Sequence, residues 1–159
     1  LNAGIEAARG NFIWMLHADT SVPAAAFAAL NDALSAEGDA LYYFDLEFQQ
    51  DGPSRTRWNT WGVRFRSRYL GLPFGDQGYC LRRETLARLG GFDEQAAYGE
   101  DHLLVWAAHR NGVPLRRVDA TITTSARKYA KAGWANTTLT HLWRTARQAL
   151  PEWWKWVRG

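Results

Sequence analysis

Asn11-Phe12-Ile13-Trp14-Met15-Leu16-His17-Ala18-Asp19-Thr20 is the stretch on which the reading of this 159-residue chain turns. Residues 11–17 form a continuous apolar run directly after Gly10. Such a run is the pattern of a short strand buried on both faces. It stops at an acid. In open α/β sheets ligands bind at the carboxyl ends of strands, where the strand ends and the following loops form a crevice. His17 lies two residues before Asp19 on the same strand face, so an imidazole and a carboxylate are presented together. A hard divalent ion that bridges a diphosphate needs only one or two protein carboxylates, and Mn²⁺ also accepts imidazole. The alternative is structural: Asp19 opens a turn and caps the helix that follows Ser21 and Pro23.

Working outward, residues 1–9 read as a helix, and the alanine-rich segment to Ala36 as a second one with Pro23 in its first turn. Residues 41–49 are aromatic-rich and partly alternating, hence a strand, and 51–54 form a turn. Trp58, Trp61, Phe65 and Tyr69 recur at helical spacing with arginines between them, giving a helix with one apolar stripe. Residues 71–78 hold three glycines and Pro73 and read as a loop. A strand at 79–81, a helix at 84–89 stopped by Gly90-Gly91, a helix at 101–110 and strands at 115–118 and 122–125 complete the pass. The alternation predicts an α/β sandwich with a mostly parallel mixed sheet. One domain over 1–130 is expected, followed by a helical tail over 131–159.

Composition supports a globular chain, with 47% hydrophobic and 22% charged residues. The net charge of +3 is unevenly spread. From Lys131 onward, Lys131, Arg144, Arg147, Lys155 and Arg158 stand against Glu152 alone, a net +4, so the first 130 residues sum to −1. Five of the nine tryptophans fall in the same tail. The basic pI is thus a property of the tail, and no nucleic-acid partner is expected. Cys80 is the single cysteine, which excludes an internal disulfide. No apolar run is long enough to cross a bilayer and no signal-peptide pattern opens the chain, so a cytoplasmic location is the default expectation. In the tail, Leu139, Leu142, Trp143, Ala146 and Leu150 share one helical face before Pro151, which is expected to break the run. A basic, tryptophan-rich amphipathic segment fits a membrane interface; equally, the stripe fits packing on the core.

Three further clusters carry candidate chemistry. Glu100-Asp101 opens a helix, where the macrodipole favours acids; either carboxylate could also serve as a general base within reach of a hydroxyl. Gly75-Asp76-Gln77-Gly78 places an acid in a glycine-flanked loop, suited to a ligand and to plain turn chemistry alike. Residues 123–128 end a strand with hydroxyls, Arg127 and Lys128, suited to a phosphate. There is no P-loop, no dinucleotide fingerprint, no zinc spacing among the histidines and cysteine, and no nucleophile elbow.

In order and spacing these features resemble glycosyltransferase family 2. The residues that carry the likeness are Leu1-Asn2-Ala3-Gly4, Ala7-Ala8-Arg9-Gly10, Trp14 to Thr20, Gly75-Asp76-Gln77, Arg82-Arg83, Gly90-Gly91-Phe92-Asp93-Glu94 and Gly99-Glu100-Asp101. The Leu-His-Ala-Asp-Thr form, with Gly-Asp-Gln and Thr-Ser-Ala-Arg, looks most like the branch associated with radical-SAM and selenocysteine genes. The likeness implies a GT-A fold, with a nucleotide-sugar donor and an inverting displacement. It makes Asp19 the metal ligand, with His17 standing where the family has a first acid. The ion would be Mg²⁺ or Mn²⁺, acting as a Lewis acid on the leaving diphosphate. Asp101 becomes the base beside Glu100, and Asn2, Asp76 and Arg127 fall near the donor. Family members begin with a βαβ unit that grips base and ribose; the chain here starts after it, so an N-terminally truncated domain with weak donor binding is expected.

The acceptor is not legible, although a lipid-linked one would suit a tail at the inner membrane face. The rival expectation is a non-catalytic membrane-surface or partner-binding module on the same fold. A nucleotidyltransferase is disfavoured because no glycine-rich basic loop is visible.

Overall fold

A computed structural model describes residues 1–36 and 38–158 of the chain. Its helices are α1 (Asn2–Ala7), α2 (Ala24–Ala36), α3 (Thr56–Tyr69), α4 (Arg83–Arg88), α5 (Glu100–Arg110), α6 (Arg127–Ala132) and α7 (Trp134–Arg158). Its strands are β1 (Phe12–Trp14), β2 (Thr20–Ser21), β3 (Leu41–Phe48), β4 (Cys80–Arg82) and β5 (Leu115–Thr124). They form one mixed sheet in the order β1-β4-β3-β5-β2.

The α/β class holds, but the sheet is not mostly parallel. Only β3 and β5 pair in parallel among the described strands; β1 with β4, β3 with β4 and β2 with β5 are antiparallel. Alternating strands and helices fix parallel direction only when each helix returns the chain to the same end of the sheet. Here α3 and the loop behind it bring the chain back against β3 in the opposite sense.

The strand buried on both faces is β3, not the 11–17 run. Leu41 and Tyr43 enter one core with Leu81, Leu86, Leu104 and Val105. Tyr42, Phe44 and Leu46 enter the other with Ala26, Leu30 and Ile122. The period-2 alternation therefore feeds two cores, each buried aliphatic or aromatic side chain contributing about 2 kcal/mol. By contrast β1 lies at the sheet edge and fully buries only Ile13.

The two strands expected at 115–118 and 122–125 are one ten-residue strand. Its register slips opposite Tyr43 and Asp45, where Tyr43 faces Arg117 but Asp45 faces Thr121. That irregularity is what broke the apolar pattern. Nor does Pro151 break the tail: α7 runs through it for 25 residues. The carbonyl freed of its intrahelical partner belongs to Arg147, an exposed position.

Two helices face the wrong way for their composition. On α3 the buried positions are Thr56 and Ser67, while Trp58, Trp61, Phe65 and Tyr69 point outward. On α7 the buried positions are Thr137 and Glu152, while Leu139, Leu142, Trp143 and Leu150 are exposed. The tail's apolar stripe does not pack on this core. Instead α7 is attached chiefly by polar groups, with Trp156 against Trp106 and His109 of α5 as an aromatic contact. Trp134 Nε1 donates to Asn59 Oδ1 (2.6 Å) and Asn59 Nδ2 to Thr138 Oγ1 (3.1 Å). Gln148 Nε2 donates to the carbonyls of Tyr98 and Gly99, and Glu152 pairs with Arg110 of α5.

Candidate functional site

The segment between β1 and β2 makes the site. Those strands occupy opposite edges of the sheet, so residues 15–19 traverse its end. Met15 N–H donates to the Tyr79 carbonyl (2.7 Å), and Leu16 lies over Gly78. A Cβ on Gly78 would come within 3.0 Å of Leu16 Cδ2 and 3.1 Å of Ile122 Cδ1, and its φ of +66° also favours glycine. A turn closed by Thr20 N–H to the His17 carbonyl (3.0 Å) then exposes His17, Ala18 and Asp19.

Beneath this crossing is a cleft of about 90 Å³ lined by Leu1, Met15, Leu16, His17, Gly75, Tyr79, Phe92, Glu100 and Asp101. It brings together three residues from the sequence reading: His17, Glu100 and Asp101. Asp101 does not cap its own helix. Its Oδ2 accepts the backbone N–H of Gly75 at 2.6 Å, and the N-cap, Gly99, makes no side-chain cap bond. The close approach requires glycine at 75, because a Cβ there would sit 3.0 Å from both Cβ and Oδ2 of Asp101.

Asp76 follows in a 3-10 turn, Gly75–Gln77, that is pinned from below. The Gln77 amide donates to the Phe44 carbonyl (2.8 Å) and accepts from Phe74 N–H (3.1 Å). The Asp76 Oδ1 is buried with no hydrogen-bond partner. Burial pushes its carboxyl above the ordinary value; Arg66 and Lys128 pull it back, Asp101 adds to the rise, and His17 opposes it. Asp76, Asp101, His17, Arg66 and Lys128 are thus within electrostatic reach of one another. Arg66 lies 3.2 Å over the Phe74 ring and 3.4 Å from Gln77 Oε1, and burial lowers its guanidinium from the usual value.

The remaining candidates sit apart from the cleft lining. Asp19 is exposed and accepts from the Thr124 hydroxyl (3.3 Å), so it precedes a strand pairing rather than a helix. Asn2 joins α1 to the 91–94 loop: its amide donates to the Phe92 carbonyl and Glu94 and accepts from Phe92 N–H. Arg127 donates to Ser125 Oγ (2.8 Å) and lies 3.8 Å from Asp51; its neighbour Lys128 lies over the Tyr129 ring, and its charge is felt at Asp76. Sequence reasoning missed Arg66. The available signal was its position on the flank of α3, between the aromatic stripe and the buried Ser67. Cys80 is no part of the chemistry, since burial pushes its thiol up to about 12.

Among the described residues no group of three or more His, Cys, Asp or Glu is placed to hold a metal ion unaided. His17 and Asp19 nonetheless fit Mg²⁺ or Mn²⁺ in donor chemistry. Such an ion takes one or two protein ligands and fills its shell from phosphate oxygens and water. No family model matches the chain, and no curated protein matches it.

Proposed function

We propose that the chain is the catalytic part of a glycosyltransferase that moves a sugar from a nucleotide-sugar donor to an acceptor hydroxyl with inversion. The observation that carries this reading is the Asp101 carboxylate, fixed by the Gly75 amide at the wall of a cleft shared with Glu100 and His17. A base held at one geometry before substrate arrives is what an attack by an acceptor hydroxyl needs. Asp101 takes the proton from that hydroxyl as its oxygen bonds to the anomeric carbon. The bond from that carbon to the diphosphate oxygen breaks, and its electron pair leaves with the nucleotide. His17 and Asp19 are the residues that would hold Mg²⁺ or Mn²⁺. When bound, the ion offsets negative charge on the departing diphosphate. Arg66 and Lys128 add fixed positive charge around Asp76. The order of the Leu-His-Ala-Asp-Thr, Gly-Asp-Gln and Glu-Asp segments, similar to glycosyltransferase family 2 and its GT-A fold, supports the same reading.

The test is turnover of a panel of UDP-, GDP- and CDP-sugars with Mn²⁺, comparing the chain with Asp101→Asn. The amide oxygen still accepts from Gly75, so the fold is kept, while transfer should fall by roughly 10²–10⁴-fold. Undiminished transfer by the variant would sink the assignment of Asp101, and no turnover of any donor, at concentrations high enough to offset weak donor binding, would sink the enzyme reading. The outward apolar faces of α3 and α7 favour a second reading, a binding module on this fold; such a module keeps its partner when Asp101 is replaced.

A further inference from the structure

We propose that the outward faces of α3 and α7 form one docking surface for an anionic phospholipid membrane. The inference does not depend on the glycosyltransferase reading. Both helices invert the usual arrangement, with polar side chains inward and large apolar ones in solvent. Trp58 is 72% exposed, Trp61 66%, Leu142 62% and Trp143 58%. On α3 the rings are already ordered against each other, Trp61 to Phe65 at 5.7 Å and Phe65 to Tyr69 at 5.4 Å between centroids. On α7 the exposed series continues through Leu150, Trp153, Trp154 and Val157. The Trp134–Asn59–Thr138 hydrogen bonds tie the start of α7 to the first half of α3.

Charge chooses the occupant. Residues 52–75 contain no carboxylate, and Glu152 is the only one from 131 onward. Glu152 is itself buried and paired with Arg110 and Lys155. Arg55, Arg57, Arg144, Arg147 and Arg158 are exposed around the apolar residues. A second copy of this surface would set these cations against each other, whereas an anionic lipid surface neutralises them. Arg55 and Arg57 also line an open hollow of about 520 Å³ with Ser54, Trp58 and Trp61. Guanidinium groups beside indoles match a phosphate headgroup above the acyl boundary, the level at which tryptophan concentrates in membranes. No described helix is long and apolar enough to cross a bilayer, so the contact is peripheral.

The test uses the whole chain with vesicles of equal parts phosphatidylcholine and phosphatidylglycerol, and with phosphatidylcholine alone. Co-sedimentation and tryptophan emission are the readouts. The expected result is binding to the anionic vesicles with blue-shifted emission, reversed by salt and roughly tenfold or more weaker on the neutral ones. The double variants W58S/W61S and R144Q/R147Q, checked for folding by circular dichroism, should each lose about tenfold in binding. Protein left in the supernatant with anionic vesicles overturns the proposal. So does equal binding to both vesicle types, or a lipid-free dimer or acidic protein partner that buries the same tryptophans and blocks sedimentation.

Discussion

Asp101 and Gly75, twenty-six residues apart, meet at 2.6 Å between the carboxylate Oδ2 and the backbone amide. Through that one bond the loop after α3 sets where the first turn of α5 aims its acid. The absence of a Cβ at 75 is part of the arrangement, since the gap it would fill is already occupied by Asp101.

Gly75→Ala should therefore displace Asp101 rather than fill space. We expect a stability loss of roughly 1–3 kcal/mol, the range typical of overpacking, and loss of transfer comparable to Asp101→Asn. Denaturant unfolding and turnover of the same sample check both. A variant of unchanged stability and activity would show that the contact is slack.

Asp76 is expected to cost stability at neutral pH. Its folded-state carboxyl is raised above the ordinary value, chiefly by burial, so the fold prefers the protonated acid. The penalty is absent at low pH, enters as pH rises above the unfolded value near 3.9, and is complete above the folded one. Asp76→Asn should be more stable than the parent at neutral pH by on the order of 1 kcal/mol. The difference should vanish in acid while donor turnover falls. Thermal unfolding across pH measures it, and equal melting at neutral pH would refute it.

Acid should loosen α7 first. Burial raises the Glu152 carboxyl, but hydrogen bonds from Lys155 and Arg110 outweigh that and hold it below the usual glutamate value. Its contribution is therefore present at neutral pH and lost as pH falls through its folded value, below about 4.5. His102, whose Nδ1 meets Gln148 Oε1 at 3.0 Å, is kept neutral by burial, with its proton affinity lowered. Gln148 and Glu152 of α7 oppose that lowering, so what resists charging His102 in acid is its burial and not its contacts with α7. Arg110→Ala should bring the loosening to higher pH and cost roughly 1–3 kcal/mol, discounted for the partial exposure of Arg110. Hydrogen exchange of α7 amides, compared with those of β3, is the measurement.

What the sequence made legible follows its local chemistry. The β3 pattern, the stop at Gly90-Gly91 and the Glu100-Asp101 helix start are written in neighbouring residues, and the structure places elements there. The direction of the strands was not legible, because it depends on where α3 delivers the chain. The fully buried strand was assigned to 11–17 because an apolar run does not reveal whether it lies at an edge. In the site, His17, Glu100 and Asp101 were named and share one cleft. Arg66 was hidden among the arginines of an amphipathic helix, and Lys128 was passed over for Arg127.

A helix held by hydrogen bonds and an ion pair obeys different rules from one held by oil. Releasing α7 would uncover Thr137, Gln148 and Glu152, groups that water accepts readily, and would part the Trp156 ring from Trp106 and His109, while its leucines and Trp143, Trp153 and Trp154 already meet solvent. Detachment should therefore add little to the heat capacity and respond weakly to denaturant, yet strongly to salt and acid. The last 25-residue helix of the chain is fastened in a way that ions and protons, rather than temperature, are best able to undo.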